Sequence, residues 1–97
     1  MKTRKEIEET LKKHKPSLRE RFKVKEMGVF GSYVRGEQKE DSDIDVLVEF
    51  EEPIGLLEFT ALERNLSEIM GEQVDLVMKT ALKPRIGKHI LKEVHYI

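Results

Sequence analysis

Two aspartates separated by one residue, Asp43 and Asp45, follow a Gly31-Ser32 pair after an interval of ten residues. The aspartates begin an apolar run over 46–48 that is typical of a buried strand, in which successive side chains point to opposite faces. Asp43 and Asp45 therefore share a face, where their charges repel each other unless a cation lies between them. Mg²⁺ is a hard ion that takes oxygen ligands, and it fits this position.

The Gly31-Ser32 pair follows another apolar run, over 27–30, and is suited to binding phosphate. Glycine lets the backbone approach an anion closely, and the start of a short helix offers N–H groups to it. The Ser32 hydroxyl could bond a β- or γ-phosphate oxygen. Arg35 lies about one helical turn further on and is either a group that neutralises a triphosphate or an ordinary surface charge. The pattern predicts a phosphate loop beside metal-binding carboxylates.

Asp75 is a third candidate, because aspartate is depleted in strands and Asp75 lies inside the strand-like run 74–77. It is either a solvent-facing residue of an edge strand, a third metal ligand, or a general base that accepts a proton from an attacking hydroxyl. The plain alternative for Asp43 and Asp45 is that both are surface charges at the start of a strand.

The elements that position these residues follow from apolar periodicity and from breakers. We predict strands over 24–30, 43–50 and 74–78 and helices over 3–20, 54–70 and 82–96, with a short helical turn over 33–38. Thr3 and Glu6 form a predicted capping box, and Pro16 predicts a stop or a kink in the first helix. A short connection predicts an antiparallel first pair of strands, and a helical crossover predicts a parallel second pair. The expected fold is α/β, with a small mixed three-stranded sheet flanked by helices and with Asp75 beside Asp43 and Asp45.

Composition limits the classes of function. The 97 residues are expected to form one domain over 1–97, and 18 basic against 19 acidic residues leave a net charge of −1. Without a positive field, binding of long nucleic acid is not expected. The absence of cysteine excludes disulfides and thiolate metal sites. The sequence shows neither a membrane-spanning stretch nor a signal peptide, so a cytoplasmic protein is expected.

The combined motif resembles that of the minimal nucleotidyltransferases of the DNA polymerase beta superfamily. The segments that carry the resemblance are 29–36, 41–48 and 74–77, and the tail over 82–93 is similar to the closing helix of that family. The resemblance implies a polymerase-beta-type fold in which Asp43, Asp45 and Asp75 bind two Mg²⁺. It also implies that Gly31 and Ser32 hold the phosphates of the nucleotide, with ATP as the substrate.

The resemblance further implies a partner. Proteins of this kind often accompany a helical HEPN-type toxin and act as its antitoxin, some by transferring AMP from ATP to a tyrosine of the toxin. The alternative from another class is a non-catalytic protein that masks its helical partner by binding alone. A third option, an RNA-linked nucleotidyltransferase, is disfavoured by the neutral charge balance and by the absence of a second domain.

Overall fold

The computed structural model describes residues 2–97, in which helices and strands alternate. In chain order the elements are α1 (Arg4–Phe22), β1 (Val24–Phe30), the short helix α2 (Ser32–Arg35), β2 (Ile44–Phe50), α3 (Leu56–Met70), β3 (Val74–Met78), a 3-10 turn (Lys79–Ala81), α4 (Pro84–Glu93) and β4 (His95–Tyr96). The three predicted strands and the two longest predicted helices are confirmed to within two residues. None of the helices in this range is long and apolar enough to cross a bilayer.

The first helix begins with a capping box and continues through a proline. Thr3 Oγ1 accepts from the Glu6 backbone N–H at 3.2 Å, and the Glu6 carboxylate accepts from the Thr3 N–H at 3.2 Å, as predicted. Of the two outcomes predicted at Pro16, a stop is wrong, because α1 runs on past it. An interior proline costs about 3 kcal/mol. Leu11 and Leu18, on either side of it, are buried in the core, and this packing stabilises the continuous helix.

The strands form one mixed sheet in the order β3-β2-β1-β4. β1 and β2 are antiparallel, with Phe30 opposite Asp45, and β2 and β3 are parallel, with Asp45 opposite Asp75. Both predicted pairings are confirmed, and α3 forms the crossover between the parallel strands. Asp45 thus lies between the end of β1 and the second residue of β3.

The fourth strand is a correction to the predicted three-stranded sheet. The predicted last helix extends to Tyr96, whereas α4 ends at Glu93 and the chain is extended at Val94, with φ −62° and ψ 135°. β4 pairs with the free edge of β1, and the Ile97 N–H donates to the Met27 carbonyl at 3.0 Å. Periodicity along one segment cannot show a strand edge elsewhere in the chain whose backbone groups need partners.

The hydrophobic core lies on one face of the sheet. Alternation along β2 turns Ile44, Val46 and Val48 into this core, and none of them is more than 1% exposed. The helices supply the other side of it: Ile7, Leu11 and Leu18 from α1, and Leu62, Leu66 and Met70 from α3. Because side chains alternate between faces, Asp43 and Asp45 project from the face opposite to the core.

Candidate active site

Three aspartates lie at one end of the two parallel strands, β2 and the edge strand β3. Asp43 immediately precedes β2, Asp45 is the second residue of β2, and Asp75 is the second residue of β3. Asp45 and Asp75 are paired in register, so their side chains leave the same face of the sheet. The structure therefore places the three aspartates that the sequence singles out at the same end of this strand pair.

The three carboxylates interact electrostatically. Burial, followed by the charges of Asp75 and Asp43, raises the pKa of Asp45 to about 6, although Arg35 acts in the opposite direction. Burial and the charges of Glu63 and Asp43 raise the pKa of Asp75 above its ordinary value. The negative charge of the three aspartates therefore exceeds the positive charge that Arg35 supplies.

Gly31 forms the turn that faces this cluster. Its backbone has φ +82° and ψ −153°, a conformation that is essentially restricted to glycine. A Cβ at this position would collide with Asp45 Oδ2, so the absence of a side chain makes room for the carboxylate. Ser32, the next residue, is half-buried and begins α2. The predicted phosphate turn therefore lies against one of the predicted metal ligands, Asp45.

Arg35 lies beside the site and is paired within the chain. Its Nε donates to Glu37 Oε1 at 2.7 Å, and its Nη1 donates to Glu93 Oε1 at 2.6 Å. Its positive charge lowers the pKa of Asp45, against the larger effects of burial and of the neighbouring carboxylates.

Two acidic residues near the site were missed by the sequence reasoning. Glu93, at the end of α4, accepts from the Gly31 N–H at 3.0 Å, and Glu63, from α3, accepts from the Leu76 N–H at 2.9 Å. The sequence held one signal for Glu93, because an acidic residue in the last turn of a helix is disfavoured by the helix dipole. The sequence held no such signal for Glu63, because a glutamate on the polar face of an amphipathic helix is ordinary.

The acidic cluster fits a hard divalent cation by its chemistry. Its donors are carboxylate oxygens, which Mg²⁺ prefers, and Gly31 leaves a space into which the Asp45 carboxylate fits. Within residues 2–97, no three acidic or histidine side chains stand close enough together to form a ready-made metal cage. Mutual repulsion of carboxylates favours such separation, and a bound cation would remove that repulsion.

Comparison with known proteins identifies the family. The family model for the nucleotidyltransferase domain matches residues 11–97, most of the chain. The chain belongs to the nucleotidyltransferase family. The resemblance to minimal nucleotidyltransferases is thereby confirmed, and so is the α/β fold, with one strand more than predicted.

Relatives of this nucleotidyltransferase include the protein adenylyltransferase MntA of Thermococcus cleftensis, which is 59% identical over 97 residues, covering 100% of this chain and 98% of that protein. A solved "putative minimal nucleotidyltransferase" is 37% identical, with a TM-score of 0.74 over 92% of this chain and 93% of the other. A chain from the complex of the tri-AMPylated Shewanella oneidensis HEPN toxin with an MNT antitoxin has a TM-score of 0.69 at 20% identity, over 93% of this chain and 70% of the other. At that identity, the likeness shows the fold alone.

Proposed function

We propose that this nucleotidyltransferase works in the cytoplasm and transfers AMP from ATP to a tyrosine hydroxyl of a HEPN-type toxin, for which it is the antitoxin. The observation that carries the proposal is the contact of the Gly31 turn with Asp45, beside which Asp75 lies in register. Adenylyl transfer is supported by the 59% identical protein adenylyltransferase. The partner is supported by the complex in which an AMPylated HEPN toxin is bound to an MNT antitoxin.

The residues of the site divide into two groups with different tasks. Gly31, Ser32 and Arg35 would hold and orient the triphosphate of ATP through a backbone N–H, a hydroxyl and a guanidinium. Asp43, Asp45 and Asp75 would hold two Mg²⁺. Bound there, these ions would neutralise the phosphates and polarise the reacting oxygens.

In the proposed step, the acceptor hydroxyl oxygen forms a bond to the α-phosphorus of ATP while the bond from that phosphorus to the pyrophosphate oxygen breaks. Pyrophosphate leaves with the electron pair, and the acceptor loses its proton. This proton passes to water, and Asp75, by holding a cation next to the acceptor hydroxyl, would favour its loss.

Transfer of labelled AMP tests this function and the role of Asp43. The protein is incubated with its HEPN-type partner and with ATP labelled at the α-phosphate, with Mg²⁺ or with EDTA. We expect Mg²⁺-dependent labelling of the partner. Asp43→Asn should lower the rate about a hundredfold or more, since loss of a metal ligand removes several kcal/mol of transition-state stabilisation. Asp43 is exposed, so the thermal midpoint should change little.

Asp41→Asn is the matched control. Asp41 is an exposed loop residue two positions before Asp43, and the substitution removes the same negative charge. It should label the partner at nearly the wild-type rate. Wild-type labelling by Asp43→Asn would contradict the role given to Asp43. Tight partner binding without any labelling, unaffected by Asp45→Ala, would instead support the masking alternative.

A further inference from the structure

Glu93, the last residue of α4, reaches into the phosphate-binding side of the site. Glu93 Oε2 accepts from the Gly31 N–H at 3.0 Å, and Glu93 Oε1 accepts from Arg35 Nη1 at 2.6 Å. The Glu93 side chain is only 20% exposed, whereas that of Arg35 is 49% exposed. Both oxygens of this carboxylate are therefore bonded to groups that the proposed function assigns to the triphosphate.

The location of Glu93 is unfavourable for a carboxylate apart from these two bonds. The C-terminal end of a helix carries partial negative charge, which repels an acidic side chain there. Glu93 also lies near the three aspartates, and its negative charge repels that of Asp45. The hydrogen bonds from Gly31 and Arg35 offset both repulsions, so a stronger acceptor for those two donors would displace the Glu93 carboxylate.

We propose that Glu93 occupies the place of a phosphate group in the nucleotide-free protein and competes with ATP for the Gly31 N–H and the Arg35 guanidinium. This inference rests on the proposed function, since it takes ATP as the ligand of the Gly31 turn. A phosphate group offers the same arrangement, with one oxygen for a backbone N–H and another for a guanidinium. Glu93 therefore sets the affinity for ATP without being required for the transfer step.

The backbone around Glu93 is held in place, so its side chain rather than the helix has to move. The Val94 N–H donates to the Ile90 carbonyl at 2.9 Å. Val94 also packs so closely over Gly28 of β1 that a Cβ there would lie 2.7 Å from Val94 Cγ2. Rotation of the Glu93 side chain would free the Gly31 N–H and leave α4 and β4 intact.

ATP binding by three proteins tests the proposal: the wild type, Glu93→Gln and Glu37→Gln, titrated without acceptor at one fixed Mg²⁺ concentration. Glu37 is the matched control. Its carboxylate accepts from Nε of the same Arg35 guanidinium at 2.7 Å, and glutamine at this position removes the same negative charge. Glu93→Gln should bind ATP about tenfold more tightly than the wild type, as expected for loss of one charge-assisted competing bond. Glu37→Gln should stay within about threefold of the wild type, since Glu37 does not bond the Gly31 N–H and its exposed ion pair with Arg35 is weak.

Four results of this titration would overturn the inference. Equal tightening in both variants would assign the effect to charge or to the release of Arg35, without a part for the Gly31 N–H, and weaker binding by Glu93→Gln would make Glu93 a support of the phosphate site. Equal ATP affinity in all three proteins would also overturn it while leaving the proposed function standing. Failure of all three to bind ATP would overturn the inference and the proposed function together.

A measurement on the wild type covers the case in which Glu93→Gln does not fold. Because Glu93 holds the Gly31 N–H, the amide resonance of Gly31 should shift on addition of ATP and also on addition of inorganic triphosphate. An unchanged Gly31 resonance at saturating ATP would overturn the proposal.

Discussion

At the scale of single residues, the site depends on the absence of a side chain at Gly31. The backbone conformation at Gly31 strongly disfavours any other residue, and the space that a Cβ would fill contains the Asp45 carboxyl group. One glycine therefore satisfies a torsional requirement and a packing requirement at once. Through it, the predicted phosphate turn and the predicted metal site become one surface.

Substitution of two glycines by alanine separates these requirements. Gly31 and Gly36 have φ of +82° and +73°, but a Cβ on Gly36 meets nothing within 4 Å. Gly36→Ala should lower the free energy of unfolding by about 1–2 kcal/mol through torsional strain. Gly31→Ala should lower it further and abolish AMP transfer, because Asp45 must move. Urea denaturation and the labelling assay measure both effects, and equal losses in the two variants would contradict the role given to Gly31.

Asp45 should make stability depend on pH in the absence of divalent cations. Burial and then the neighbouring carboxylates raise its pKa from 3.8 to about 6. The folded protein therefore keeps a proton that the unfolded chain releases between about pH 4 and pH 6, and stability falls as the pH rises through that window. This loss of stability is absent below about pH 4 and complete above about pH 6.

Asp45→Asn removes the loss of stability that ionisation of Asp45 causes. The variant should be more stable than the wild type near pH 7, and its advantage should shrink toward pH 4, where the aspartate is protonated in both states. It should transfer no AMP at any pH. Urea denaturation at several pH values gives the difference in the free energy of unfolding, and a difference that does not change with pH would refute this account.

At the scale of elements, α3 protects the exposed edge of the sheet next to the site. β3 is an edge strand, and edge strands present unpaired backbone groups. Ser67 Oγ accepts from the Val74 N–H at 3.0 Å, and Glu63 Oε2 accepts from the Leu76 N–H at 2.9 Å. Residues 63 and 67 lie one helical turn apart, so one face of α3 serves two strand positions. Asp75, between them, is held at a fixed place on the sheet.

Removing one of these acceptors tests the role of α3. Ser67→Ala leaves the N–H of the buried Val74 without its partner and should cost about 1–3 kcal/mol of unfolding free energy. Thr60→Ala is the control on the same helix, since Thr60 is exposed and alanine brings a similar gain in helix propensity. Thermal or urea unfolding should show Ser67→Ala as clearly the less stable variant; equal stabilities would mean that water replaces the hydroxyl.

At the scale of the whole molecule, the sheet lies between the hydrophobic core and the candidate site. The core of α1, α3 and the inner sheet face lies on one side, and the aspartates and the Gly31 turn project from the other. Substitutions in the core should therefore change the free energy of unfolding while ATP binding by the folded fraction persists.

A pair of leucines on α3 tests this separation. Leu62 is fully buried, and Leu62→Ala should cost about 2–5 kcal/mol through lost packing and a residual cavity. Leu57 is 86% exposed, and Leu57→Ala should change stability by no more than about 0.5 kcal/mol. Denaturation measures both, and ATP affinity, corrected for the folded fraction, should match the wild type in each. A large loss of affinity in folded Leu62→Ala would show that core and site are coupled.

Much of the site could be predicted because its signals are local. Alternation in β2 puts Asp43 and Asp45 on one face, and the crossover rule for parallel strands places Asp75 beside them. β4 and the two supporting glutamates, Glu63 and Glu93, could not be predicted in this way. Each depends on a partner far away in the chain.

The sequence by itself determined the strands, the main helices, the strand pairing and the residues of the family motif, because periodicity, breakers and connection lengths act over a few neighbouring residues. The tertiary structure decided that α4 ends at Glu93, that the last residues complete the sheet, and that the Glu93 carboxylate binds the Gly31 N–H. Those outcomes follow from backbone donors and an open strand edge that need partners, and which segment satisfies them is settled only when the chain packs.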